Sequence, residues 1–99
     1  MNTLIVELHS VLAQSVGVTS DTLIVDLDDG RTLSVPLTWY PRLLHGSIEE
    51  RFNWRWIGNG EGIHWTDLDE DISIQHLLLG KPSQESQVSL NRWLQERSS

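Results

Sequence analysis

Leu23-Ile24-Val25-Asp26-Leu27-Asp28-Asp29-Gly30-Arg31-Thr32-Leu33-Ser34-Val35-Pro36-Leu37 is the stretch on which the fold turns. Leu23, Val25 and Leu27 fall on one side of an extended chain, with Ile24, Asp26 and Asp28 on the other; past Asp29-Gly30, Leu33, Val35 and Leu37 alternate with Thr32 and Ser34. A period of two is that of a strand with one buried face. Asp-Gly between two such runs predicts a tight hairpin turn whose two central residues both take positive φ. Upstream, Val16 and Val18 share a face before Thr19-Ser20-Asp21-Thr22, residue types that hydrogen-bond their own backbone in turns. The reading is a three-stranded antiparallel meander with one apolar face. Pro36, which has no N–H for a ladder, ends the third strand or lies at its edge. Leu4, Val6 and Leu8 also alternate, which suits a short strand, and a helix through Leu12 fits the same residues.

Downstream, Thr38 offers an N-cap, Trp39, Leu43 and Leu44 recur near helical spacing, Pro41 suits a first turn and Gly46 a C-cap. Ser47 and Glu50 have capping-box spacing, so a second short helix is expected to about Asn53. Trp54-Arg55-Trp56-Ile57, a turn containing Gly58, Gly60 and Gly62, and Ile63-His64-Trp65 predict a second hairpin. The carboxylates of Asp67 to Asp71 then precede Ser73, which can cap a helix over Ile74 to Leu79. Gly80 stops that helix. The expected architecture is α+β: a meander and a second short hairpin packed against short helices. Residues 1–80 form one domain, and residues 81–99 form a tail with a helix from about Ser86 through Val88, Leu90, Trp93 and Leu94.

Ninety-nine residues suffice for one modest core. The formal charge of −7 disfavours phosphate backbones and anionic lipid and favours a basic partner. Residues 81–99 carry three basic and two acidic side chains, so the acidity belongs to the preceding 80 residues. There is no cysteine, which excludes thiolate metal sites and cysteine nucleophiles. Residues 1–12 lack the basic start and small-residue cleavage site of a signal peptide, and no run approaches the roughly 18 apolar residues of a membrane span. A cytoplasmic location is the simplest expectation. Five tryptophans are many for this length, and a small domain is not expected to enclose them all.

Asp67-x-Asp69-x-Asp71 begins like a calcium loop, but Ile72 stands where glycine is needed and Leu78 where a bidentate glutamate is needed. Capping of the helix dipole is the preferred account of these acids. His9, His45, His64 and His76 are not at zinc-ligand spacing, so no metal or cofactor is expected. His64 precedes the acidic run and is poised for an ion pair, with no nucleophile or oxyanion donors near it in sequence. Gly58-x-Gly60-x-Gly62 matches neither the dinucleotide nor the P-loop pattern, and a hairpin turn explains it. Aromatics and arginines, enriched in binding hot spots, crowd Trp39, Tyr40, Arg42, Arg51, Trp54, Arg55 and Trp56. The competing account makes Trp54 and Trp56 core residues, with Arg55 facing solvent.

From about Val16 to Gly80 the chain resembles the bacterial domain of unknown function 2442 family. The resemblance rests on Leu23 to Leu37 as quoted, on Trp39-Tyr40-Pro41-Arg42-Leu43, and on Gly60-Glu61-Gly62-Ile63-His64-Trp65 with Asp67-Leu68-Asp69-Glu70-Asp71-Ile72-Ser73. Many members have proline after the tryptophan, where this chain has Thr66. The resemblance implies a meander, a helix and a further short strand, and membership of small two-gene modules in which such a domain accompanies a second protein and acts like an antitoxin. It transfers no catalytic residue. The function expected is therefore a non-enzymatic module that binds another, basic, protein through Trp39, Tyr40, Arg42, Trp54, Arg55, His64, Trp65, Asp67 and Trp93, with a homodimer allowed. The alternatives are a small-ligand or enzymatic domain built on His64, Asp67 and Asp69, and a DNA-binding autoregulator using Arg42, Arg51 and Arg55, although the isolated chain disfavours nucleic acid.

Overall fold

The computed structural model describes residues 11–98, and the strand or helix expected within the first twelve residues falls almost wholly outside them. Alternation becomes register in β1 (Ala13–Val18), β2 (Thr22–Leu27) and β3 (Thr32–Pro36), an antiparallel sheet in the order β1-β2-β3. On the central strand Leu23 pairs with Val18 and Val35, and Val25 with Val16 and Leu33. Leu23 and Leu27 are 0% exposed and Val25 1%. The opposite face is polar: Asp26 accepts from the Ser15 and Thr32 hydroxyls at 2.6 and 2.7 Å, which holds its carboxyl below the usual range.

The hairpin turn differs from the expected two-residue form. Leu27 N–H donates to the Arg31 carbonyl at 2.8 Å and Gly30 N–H to the Leu27 carbonyl at 3.2 Å, leaving a three-residue loop in which Gly30, and not Asp29, has positive φ (96°). Asp29 instead accepts from the Arg31 N–H and pairs with its guanidinium.

A 3-10 turn at Leu37–Trp39 and helix α1 (Pro41–His45) follow. Thr38 lies inside that turn and caps nothing; α1 starts with Pro41 at its first position, where the missing N–H costs no hydrogen bond. Helix α2 (Ile48–Phe52) carries the full capping box: Glu50 N–H donates to Ser47 Oγ at 3.2 Å and Ser47 N–H to Glu50 Oε1 at 2.8 Å.

The second sheet has three strands, β4 (Trp54–Ile57), β5 (Gly62–Trp65) and β6 (Glu70–Ser73). The sequence pattern predicts a hairpin followed by an acidic helix entrance, whereas the chain turns at residues 66–69 and adds β6. Leu68 (0% exposed) plugs this turn into the core, and Asp69 reverses the chain with φ of 48°. Ser73 then caps α3 (Ile74–Leu78), its hydroxyl accepting from the His76 N–H at 3.4 Å. The two sheets meet at Gly60. Its carbonyl accepts from the Ala13 N–H at 2.8 Å, and a Cβ there would lie 2.3 Å from the Ala13 carbonyl oxygen. Leu37, Leu43, Ile63, Trp65, Ile72, Ile74 and Leu77 complete one core with the meander.

Residues 81–98, set apart above as a tail, carry helix α4 (Gln87–Ser98) and are attached to the body by polar contacts. Ser83 N–H donates to the Trp39 carbonyl at 2.9 Å, and the Tyr40 hydroxyl donates to the Lys81 carbonyl at 3.1 Å.

Candidate functional site

Most of the residues singled out from the sequence do not converge. Trp65 is fully enclosed, its Nε1 donating to the Arg51 carbonyl at 3.0 Å, so it is a core residue and offers no docking surface. Trp54 and Trp56 share one face of β4, their rings 4.8 Å apart and edge-on, and both are half-buried against the core while Arg55 faces solvent. On the outward face Arg55, His64 and Asp71 form one cross-strand row, and His64 Nδ1 contacts Asp71 Oδ1. Asp67 Oδ2 accepts from Asn53 Nδ2 at 2.9 Å, and Asp69 projects into solvent. His64, Asp67 and Asp69 thus form no joint site. Arg51 donates to the carbonyls of Thr19, Leu43 and Leu44, and Arg42 is engaged internally, so of the three arginines considered for nucleic acid only Arg55 stays exposed.

Tyr40, Arg42 and Trp93 do come together. Arg42 leaves α1 toward the C-terminal segment, where Nε and Nη2 bind the Glu85 carboxylate at 2.7–3.0 Å and Nη1 donates to the Leu68 and Asp69 carbonyls at 3.2 and 3.4 Å. The Trp93 ring receives the Arg42 guanidinium at 5.0 Å and that of Arg97 at 4.5 Å.

Beside this junction a cleft of about 390 Å³ opens between β6, the start of α3 and residues 81–85. Glu70 lines it. Alternation along β6 turns Glu70 and Ile72 to the core side, opposite Trp65 and Ile63. The Glu70 oxygen Oε1 is sealed from solvent and has no hydrogen-bond partner among the described residues. Burial therefore pushes this carboxyl up to about 7, against the attraction of Arg42 and with help from the Glu85 and Asp71 charges. Glu85 is the contrary case. Held by Arg42 and by the Ser89 hydroxyl at 2.8 Å, it sits below the usual carboxylate range. Burial, reinforced by Glu70, pushes the Tyr40 phenol up to about 12, so at neutral pH it remains a donor. The cleft thus holds a desolvated carboxyl that titrates near neutrality beside a saturated ion pair.

Sequence reasoning named Tyr40 and Arg42 but missed Glu70 and Glu85. A signal existed for Glu70 in its alternation with Ile72, which places a charge at an inward position once β6 is recognised. Glu85 lies 43 residues from Arg42, and no local pattern joins them.

A second concavity, of about 380 Å³, lies between the β1–β2 turn and α2, where Val18 meets Ile48 and Phe52. Ile48 and Phe52 lie one helical turn apart and are 68% and 69% exposed.

Among solved structures, the chain is similar to a protein of unknown function from Rhodospirillum rubrum ATCC 11170, with 28% identity, a TM-score of 0.65, and coverage of 78% of this chain and 95% of that one. No curated protein matches it. The family model described as "Protein of unknown function (DUF2442)" matches residues 13–83, and with its meander, second sheet and intervening helices in that span, the chain belongs to this family.

Proposed function

We propose that this protein is a partner-binding module, the acidic neutralising member of an antitoxin-like pair whose other member is a small basic protein, acting by binding and not by catalysis. The observation that carries the reading is the exposure of Ile48 and Phe52 on α2, two large apolar side chains on one helical stripe beside a concavity. Contiguous apolar exposure on a small domain is the usual mark of a surface that another macromolecule covers. Half-buried Trp39, Trp54, Trp56 and Trp93 add indole surface, and the charge of −7 selects a basic partner and speeds encounter with it.

The test is capture from a bacterial host extract with the tagged chain and with a Phe52→Ser variant, at low and high salt. A small basic protein should copurify with the parent chain, fall away as salt screens the charges, and be recovered poorly by the variant. Recovery indifferent to salt and to Phe52→Ser would end this reading.

A further inference from the structure

The Glu70 oxygen Oε1 lacks a donor, although the Asp71 backbone N–H serves the carboxyl, and the nearest side-chain donors are engaged elsewhere. The Tyr40 hydroxyl is committed to the Lys81 carbonyl, the Arg42 donors to Glu85 and two backbone carbonyls, and the Ser89 hydroxyl to Glu85. A buried acceptor without a donor is a standing cost to the fold. The Glu70 side chain also lines the cavity.

The walls specify what would fill the cavity. The lining holds the carboxylates of Glu70 and Glu85 with the cations Arg42 and Lys81, and at the rim the solvent-exposed Asp69 and Asp71; Glu85 neutralises Arg42. The remaining excess is negative. Pro82, with the small exposed edges of Tyr40 and Ile72, supplies apolar wall for an aliphatic stem whose charged end reaches toward Glu70. The volume, about 390 Å³, is at the low end for small-molecule sites and ample for one long side chain.

From this geometry we infer that the cleft between β6 and residues 81–85 receives one lysine or arginine side chain of the protein partner, with Glu70 as the carboxylate that accepts it. The inference rests on the partner-binding reading above and adds to it a point of attachment. An arriving ammonium or guanidinium supplies the missing donor and displaces any proton that Glu70 carries, so binding strengthens as pH rises through neutrality.

The experiment is a nuclear magnetic resonance titration of the full chain with Nα-acetyl-lysine N-methylamide, its arginine counterpart, and the uncharged norleucine analogue. Expected are shifts confined to residues around Glu70, Ile72 and 81–85 with the two cations only, tighter binding at pH 8 than at pH 6, and affinity at least tenfold weaker in Glu70→Gln. The pH comparison uses the parent chain and so stands even if the variant misfolds. Equal shifts with norleucine, shifts scattered over the surface acids, or indifference to both pH and Glu70→Gln would overturn the inference. If the probes fail in this way while a basic protein is still captured equally by parent and Glu70→Gln, the attachment point is wrong and the partner-binding reading stands. If the probes bind at Glu70 but no basic protein is captured, the reading above falls, and with it the protein source of the cation.

Discussion

Strand β2 buries Leu23, Val25 and Leu27 to 1% exposure or less, whereas the twelve residues of α4 bury only Leu90 and reach the body through Arg42, Glu85, Arg97 and Glu50. Both regions are ordered by contacts distant in sequence, but the contacts belong to different physics. The meander is held by removal of apolar surface from water, which salt and pH barely change between mild limits. The C-terminal arm has two neutral hydrogen bonds, Leu90 and the half-buried Trp93, and beside them charge pairs and two guanidinium groups over one indole, a share of its attachment that depends on ionic strength. One molecule therefore contains a foundation indifferent to its surroundings and an attachment in part sensitive to them.

The largest test of this contrast is Leu23→Ala. The side chain is fully enclosed at the centre of the sheet, and its truncation should cost about 3 kcal/mol, within the range for buried leucine. Urea denaturation followed by tryptophan fluorescence should return nearly the same loss at low and high salt. A loss under about 1 kcal/mol would mean that the meander is not the foundation.

Next in size is Glu70→Gln, which touches the border between the two regions. The folded carboxyl titrates at about 7, above its ordinary value of 4.5. A raised acid contributes stability that is fully present below the unfolded value and is lost as pH rises through the folded one. The parent chain should therefore weaken from about pH 4.5 to 7, and Glu70→Gln should be the more stable by about 2 kcal/mol at pH 8, a figure reduced for partial solvent access. At pH 4 the two should coincide. A variant less stable than the parent at pH 8 would show that ionised Glu70 holds the cleft together and does not strain it.

These two residues also differ in how far local sequence specifies their place. Leu23 announces itself, because alternation over five residues and a glycine turn allow one register with the apolar side inward. Ser47 and Glu50 announce themselves equally, since a capping box is local. Strand β6 did not, because it is four residues long and two of them, Glu70 and Asp71, are charged, so the acids matched a helix entrance as well as a strand. Which indole is enclosed was also hidden. Trp54 and Trp65 are direct cross-strand partners, and only the position of β5 in the middle of its sheet encloses the second. The cleft draws on three separated stretches, and no spacing rule gathers Arg42, Glu70 and Glu85.

The smallest effect and the finest test of the contrast is Arg97→Gln. Arg97 donates to both oxygens of Glu50 at 3.0 and 2.7 Å, and Glu50 at the same time caps α2 through the Ser47 N–H. Arg97 first and Ser47 second draw the Glu50 carboxyl down to about 2. A depressed acid contributes stability that is present above its unfolded value, 4.5, and lost as pH falls toward 2. Because the pair is partly exposed, its removal should change global stability by under about 1 kcal/mol, too little to see by denaturation alone. Hydrogen exchange resolves it: amides of α4 should exchange faster in Arg97→Gln while those of β2 are unchanged, and the parent arm should loosen in the same way below pH 4.5 or in high salt. An α4 equally protected in all these conditions would mean that Leu90 and the half-buried face of Trp93 suffice to hold it, and that the charges only choose where along the body the helix lies.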